Sequence, residues 1–426
     1  MSKLGQLSPQ PWMTAPATRA VMAALGNNAR FVGGCVRDSV LGRPVKDVDI
    51  ATPEPPEQVM ALLVRAGIKA VPTGLRHGTV TAVVEGRPFE VTTLRKDVSC
   101  DGRHAEVEFT DDWVADAARR DFTINAMSAD SSGAIYDPFN GLRDLADRRV
   151  RFVGNPRQRI TEDVLRLLRF FRFFAYYGKP PPEAAALAAC RIMAPRLKDL
   201  SGERVQGELL KILMAPDPGS VFLLMQGERV LDAVLPEAAD FGRLRVLSWL
   251  ETRGIQVPGV EADAIRRLAA LVKADATGVA ALSTRLRLSN RQRERLAGLV
   301  VVPPEFRPTP DMDPRAYRRA LRQLGAERMR DLTLIAWAER KALSLCANSA
   351  ETEVWLGLLS LAHDWSPVTL PVKGQDVVRL GVPAGPAVGH FLEAAEQWWE
   401  STDYRANRAE VLKCLRLLVG SDRSKV

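Results

Sequence analysis

The segment FVGGCVRDSVLGRPVKDVDIAT, residues 31–52, constrains this chain more than any other stretch. Gly33 and Gly34 separate a short apolar run from a brief helix-like one, and Asp47 and Asp49 then fall two apart in a β-rich run. Residues i and i+2 of a strand share a face. Two carboxylates placed that way repel each other unless a cation neutralises them. Mg²⁺ suits the pair, because it takes oxygen ligands and is commonly held by one or two carboxylates together with substrate phosphates. A pair of such ions can activate a hydroxyl and stabilise a leaving phosphate group. The glycines leave room for phosphates to approach backbone N–H groups at the start of a helix. Arg37, three residues further on, is placed to clamp a phosphate. A DxD or a GG turn alone marks no more than a surface loop; the combination at this spacing predicts a metal and phosphate site, with Asp47 and Asp49 as its ligands.

The surrounding pattern is mixed α and β. Residues 1–15 read as a loose leader with Pro9, Pro11 and Pro16 around it, 17–25 as a helix stopped by Gly26, and 30–33 as a buried strand. A helix through Leu41, a turn at 42–44, a strand over DVDIAT and a helix over 57–66 follow. VTAVVE (80–85) and FEVTTL (89–94), split by Gly86-Arg87-Pro88, signal a hairpin. Beyond about residue 155, β-rich runs nearly vanish and apolar residues recur at helical spacing. Pro180–Pro182, Pro303-Pro304 and 366–371 punctuate the helices.

At 426 residues the chain exceeds one compact core, so two to four domains are expected. Its 46% hydrophobic and 26% charged residues exclude a disordered class. The net charge of +8 fits either a polyanionic partner or a merely basic, soluble protein. Cys35, Cys100, Cys190, Cys346 and Cys414 are scattered without a CxxC pair, which argues against zinc or a disulfide framework and fits a cytoplasmic setting. No apolar run reaches membrane-spanning length, and the N-terminus lacks a secretory signal, so no membrane association is expected.

Three further motifs follow in order: RRDFTINAM (119–127), DPFNGLRDL (137–145) and EDVLRLLRFFR (162–172). Together with residues 31–52 they resemble the signature of the class II CCA-adding enzyme and bacterial poly(A) polymerase family, within the polymerase-β-like nucleotidyltransferases. The likeness covers about residues 25–215 and continues more weakly to the C-terminus. It implies an α+β fold: a polymerase-β-like nucleotidyltransferase α/β head, then an all-helical neck, body and tail. The expected boundaries are a leader and first helix at 1–28, a catalytic head at 29–150, a base-recognising neck at 151–215, a helical body at 216–365 and a tRNA-binding tail at 366–426.

By the resemblance, Asp47 and Asp49 are catalytic and bind Mg²⁺, and Gly34 and Arg37 contact the nucleotide, with Gly33 supporting. Arg120 contacts the nucleotide, while Asp121 and Asn125 support the sugar and the local fold; in isolation the segment would read as a surface Arg–Asp pair. Thr161 is expected to cap a helix over 162–172. There Asp163 and Arg166, at i and i+3, are neighbours. Cytosine and adenine share an amine donor beside a ring-nitrogen acceptor. Asp163 can accept from the amine while Arg166 donates to the ring nitrogen; uracil and guanine reverse both polarities and leave polar groups unpaired. The plainer alternative is a surface salt bridge. Arg169 and Arg172 are also expected at the nucleotide, although an i+3 row drifts about 60° per step. Leu165, Leu168, Phe171 and Phe174 are expected in the core.

Residues 96–112 read as a polar loop, and related enzymes use a flexible loop here in switching from CTP to ATP; Asp101 and Arg103 fall where the family has an acidic and a basic residue. Glu90 is a candidate third carboxylate or a solvated hairpin residue. Glu203 and Arg204 are expected to be structural. The basic runs at 285–295 and 315–330 are either tRNA-facing or solvated. His363-Asp364 lacks the companion histidines of a phosphohydrolase site. The implied activity is template-independent addition of CCA to the tRNA 3′ end from CTP and ATP with Mg²⁺. The implied partners are the tRNA acceptor arm and 3′ end, with no stable protein partner. A poly(A) polymerase, a relative adding only CC or only A, and a non-catalytic RNA-binding protein are the alternatives.

Overall fold

The structure is a computed structural model that describes residues 3–100, 105–344 and 349–423. Its strands are β1 (Lys3–Gln6), β2 (Arg30–Val32), β3 (Asp49–Thr52), β4 (Lys69–Gly74), β5 (Thr79–Val84), β6 (Arg87–Thr93), β7 (Arg95–Cys100), β8 (Ala105–Phe109), β9 (Ser128–Ala129) and β10 (Ala134–Tyr136). Eight of them form one sheet in the order β1-β10-β9-β2-β3-β6-β5-β4, in which β3 and β6 run parallel and the other pairs antiparallel. Alternation on β6 shows why the sheet forms. Phe89, Val91 and Thr93 are buried, while Glu90 is on the other face. Helices Pro16–Leu25 and Pro56–Arg65 cover the buried face with Val21, Leu25, Val59 and Leu63. The α+β class expected from the sequence is the one observed.

Several local expectations need correction. The leader is not loose: β1 adds an edge strand to β10, and Leu7 and Met13 are buried. Trp12 packs edge-on against Phe31 at 4.8 Å, and its indole N–H donates to Ser39 Oγ at 3.0 Å. Residues 3–28 therefore belong to the head. The strand expected over 47–52 begins only at Asp49, leaving Asp47 in the exposed segment before it. The hairpin turn is Glu85-Gly86, both at positive φ, so Arg87 and Pro88 already belong to β6. Much of the polar loop expected over 96–112 is a two-stranded antiparallel ribbon of β7 and β8, with Arg95 opposite Phe109 and Cys100 opposite Ala105. Asp101 and Arg103 lie outside the described residues.

The chain divides into two compact units: residues 1–238 with 284–288, and 239–283 with 289–426. The division falls inside the expected body, and no boundary separates head from neck. Aromatic packing explains the fusion. Phe122 of the RRD segment contacts Phe152 at 4.8 Å and Phe173 of the neck helix at 4.9 Å, and Phe152 stacks on Phe170 at 5.7 Å. All four are buried, each worth roughly 1.5–3 kcal/mol.

The second unit is helical throughout its described residues. Its core includes a buried ionic knot: Glu251 accepts from Arg266 at 2.7 Å and from Arg267 at 2.5 Å, and Arg266 also reaches Asp331 at 2.8 Å. Buried charges persist only when paired in this way. The tail residues cluster around Val372, Val377, Phe391, Trp399, Val411 and Leu415. The basic helix Pro314–Leu324 spends its charge there: Arg318 pairs with Asp403 at 2.6 Å, Arg319 with Glu400 at 3.3 Å, and Arg322 with Glu396 and Glu400. Of the arginines in 285–295, Arg285 pairs with Glu237 and Arg295 with Asp263 and Asp331, while Arg291 and Arg293 are exposed. Among the described residues no helix is long and apolar enough to cross a membrane.

Candidate active site

The site is built where β2, β3 and β6 lie side by side. Gly33 follows β2 at φ +71°, a conformation that L side chains rarely adopt, and the helix Gly34–Val40 starts immediately after it. A Cβ on Gly33 would lie 3.3 Å from Arg120 Nη1 and 4.0 Å from Asp49 Oδ2. Arg120 and Asp49 thus converge on the glycine turn. A Cβ on Gly34 would meet only Arg37 Nη2, at 3.6 Å.

Asp49 and Glu90 are register partners on the parallel strands β3 and β6. Burial pushes the Asp49 carboxyl up, and Glu90 pushes it further; Arg120 opposes them, and Asp47 adds repulsion. Two carboxylates, Glu90 and Asp47, therefore act on Asp49. Glu90 is the candidate that sequence reasoning left undecided, because only strand pairing reveals its neighbour. Among the described residues no three acidic, His or Cys side chains form a ready-made metal cage. Beneath the site, burial pushes the Cys35 thiol up to about 12, so it is no nucleophile.

The RRD segment supplies a second layer. Asp116 of the helix Trp113–Ala118 accepts from Arg119 at 2.7 Å and from Arg120 at 3.1 Å. Burial favours its protonated form, but Arg120 and Arg119 outweigh that and hold its carboxyl below the usual range. Asp116 was missed from sequence, although a DxxRR run at helical spacing signals it. Arg37 is buried and engaged: its Nη1 donates to Asn125 Oδ1 at 2.6 Å, its Nη2 to Asp38 at 2.8 Å, and its guanidinium lies 4.3 Å from the Tyr177 ring. Asn125 donates to Asp121 at 3.0 Å, and Asp121 accepts from Arg169 at 2.7 Å. Burial again opposes ionisation of Asp121, and Arg169 overcomes it.

The helix expected over 162–172 is broken. One helix, Pro156–Glu162, ends where Asp163 turns extended at φ −149°, and the next runs over Leu165–Tyr177. Thr161 is therefore no N-cap; its hydroxyl donates back to the Arg157 carbonyl at 2.8 Å. Val164 stands at the N-cap of that next helix, and Asp163, one residue earlier, accepts from Leu165 N–H at 3.1 Å. Asp163 and Arg166 are each held by other residues. Arg204 Nη2 lies 2.9 Å from both Asp163 oxygens, and Arg166 pairs with Glu162 at 2.7 Å while donating to the Arg119 carbonyl at 3.2 Å. Arg172 turns away to Glu208 of the helix Gly202–Leu213 at 2.6 Å, as the drift of an i+3 row dictates. The buried face is Leu167, Leu168, Phe170, Phe171 and Phe173, with Leu165 and Phe174 only half-buried, because the helix starts later and is rotated relative to the expected one.

Known proteins resemble this chain over nearly its whole length. Residues 29–151 match the family described as poly A polymerase head domain, and residues 182–241 the one described as probable RNA and SrmB-binding site of polymerase A. CCA tRNA nucleotidyltransferase 1, mitochondrial, of Mus musculus is 34% identical over 404 residues, 93% of this chain and 88% of that protein. Its namesake from Danio rerio is 36% identical over 398 residues, 91% and 86% of the two chains. The crystal structure of the Bacillus stearothermophilus CCA-adding enzyme in complex with CTP superimposes with a TM-score of 0.71 at 26% identity, covering 97% of this chain and all (100%) of that one. With a nucleotidyltransferase site set in an α/β head and relatives alike along nearly the whole chain, the protein belongs to the CCA tRNA nucleotidyltransferase family.

Proposed function

We propose that this site adds CCA to the 3′ end of tRNA from CTP and ATP without a nucleic acid template. The observation that carries the reading is the meeting of Asp49, Glu90 and Arg120 at the Gly33 turn. Asp47 and Asp49 would hold Mg²⁺, which the repulsion that Glu90 and Asp47 exert on the Asp49 carboxylate favours. Bound there, such an ion would supply Lewis-acid chemistry to the α-phosphate and the attacking hydroxyl and would offset the charge of the leaving pyrophosphate. Arg120, aimed by Asp116, offers a fork to phosphate or ribose oxygens beside the side-chain-free turn. Arg37 orders the turn through Asp38 and Asn125.

Asp163 and Arg166 read the base. Neither is consumed by pairing with the other, and each keeps hydrogen-bonding capacity after its fixed contacts. Arg169 supports the pocket through Asp121, and Arg172 acts only through Glu208. Burial of Cys35 and Cys190 as free thiols is compatible with a reducing setting.

The test is incubation with Mg²⁺ and tRNAs ending before, within and after CCA, with each nucleoside triphosphate alone and in mixture, followed by sequencing of the products. Three defined additions support the proposal. Long A-tails would assign a poly(A) polymerase instead, and no extension would leave a binding protein.

A further inference from the structure

We propose that Arg204, on the helix Gly202–Leu213, is a specificity-determining positioning residue that sets which bases Asp163 accepts. The inference rests on the reading of Asp163 as a base-recognising group. A carboxylate has about four acceptor positions, two on each oxygen. Leu165 N–H and Arg204 together fill those of Asp163 Oδ1, and Arg204 fills one on Oδ2. A single acceptor position on Oδ2 remains for the exocyclic amine of cytosine or adenine.

Because Arg204 Nη2 sits 2.9 Å from both oxygens, it also fixes the plane of the carboxylate, which is otherwise free to rotate at the helix break. The terminal torsion of an aspartate is broad, so a lone Asp163 would sweep its acceptors through many directions. Both side chains keep solvent contact, at 32% exposure for Arg204 and 27% for Asp163. The pair therefore faces an open space and does not act as a buried staple, and its net contribution to stability is small. Discrimination by hydrogen bonding depends on leaving the wrong partner unsatisfied, which requires the acceptor to be held still. Arg204 touches no substrate in this scheme; it acts through Asp163.

The experiment measures kcat and KM for CTP and for UTP on tRNA lacking CCA, in wild type, Arg204→Ala, Arg204→Lys, Asp163→Ala and the double variant. Arg204→Ala is expected to raise the KM for CTP and the relative use of UTP by about tenfold each, with kcat for CTP changed less and the melting temperature nearly unchanged. Arg204→Lys should recover part of the selectivity, since it restores the charge without the planar fork. In the Asp163→Ala background, Arg204→Ala should add nothing. If Asp163→Ala relaxes base choice and Arg204→Ala does not, the role of Arg204 is overturned while base reading stands. If Asp163→Ala also leaves base choice intact, base reading itself fails. A uniform fall in kcat for every nucleotide, or a large loss of melting temperature in both Arg204 variants, would show a structural role and overturn the proposal.

Discussion

Arg169 donates its Nε–H to Asp121 Oδ2 at 2.7 Å, fastening the neck helix to the RRD segment of the head. Asp121 is buried and in turn holds Asn125, which holds Arg37. Asp121→Ala should therefore destabilise the chain by about 2–4 kcal/mol, because it strands a partly buried guanidinium. Urea unfolding would measure the loss.

Asp116 and Asp121 both titrate below the ordinary carboxylate value. A depressed pKa contributes stability that is present above the unfolded value, about pH 4, and lost as pH falls through the folded value. Stability should thus drop on acidification below about pH 4. The drop should be shallower in Asp116→Asn and Asp121→Asn, as measured by denaturant unfolding across that range.

Asp49 has the opposite sign. Its carboxyl is held up by burial and Glu90, so its contribution is full below the unfolded value and is lost as pH rises through the folded one. Near neutral pH and without metal, Asp49→Asn should melt higher than wild type. The same variant should lose about a hundredfold or more in kcat. Added Mg²⁺ should raise the melting temperature of wild type and not of the variant, a linkage that thermal denaturation reads directly.

Gly33→Ala places a side chain at φ +71°, 3.3 Å from Arg120 Nη1. The cost should be about 1–2 kcal/mol, with a raised KM for nucleotides as Arg120 shifts. Gly34→Ala, whose Cβ has only the flexible end of Arg37 within reach, should fold normally. Calorimetry and steady-state kinetics on the pair would separate the two glycines.

Arg291 and Arg293 are exposed, whereas Arg318, Arg319 and Arg322 are paired with tail carboxylates. Removing either of the exposed arginines should reduce the salt slope of tRNA affinity by about one. Arg322→Ala should leave that slope unchanged and lower thermal stability instead. Binding titrations at several salt concentrations would distinguish the two classes.

The sequence made the local elements legible wherever periodicity and punctuation agreed. The helix stopped by Gly26, the GG turn and the two β-rich runs of the hairpin all occur where expected, within a residue or two. What escaped were relations between distant segments. Glu90 acquires meaning only from its pairing with Asp49, and the edge strand β1 only from β10, some 130 residues away. The EDVLR run reads as one helix because nothing in its spacing announces a break. The break exists because Asp163 is recruited by Arg204 and by the N–H of Leu165. Arg172 was expected to reach the nucleotide with its neighbours, but helical geometry carries it to Glu208.

The pairing of β1 with β10 sets an order of assembly. A chain emerging from the ribosome carries Asp47 and Asp49 long before Tyr136 arrives to receive the first strand, and before Phe170 and Phe173 close over Phe122. Until then the acidic strand stands in an unfinished sheet. Nascent polypeptides arrested short of the neck helix should consequently be targets for proteases and chaperones, and competent to hold nucleotide only once that helix has been made.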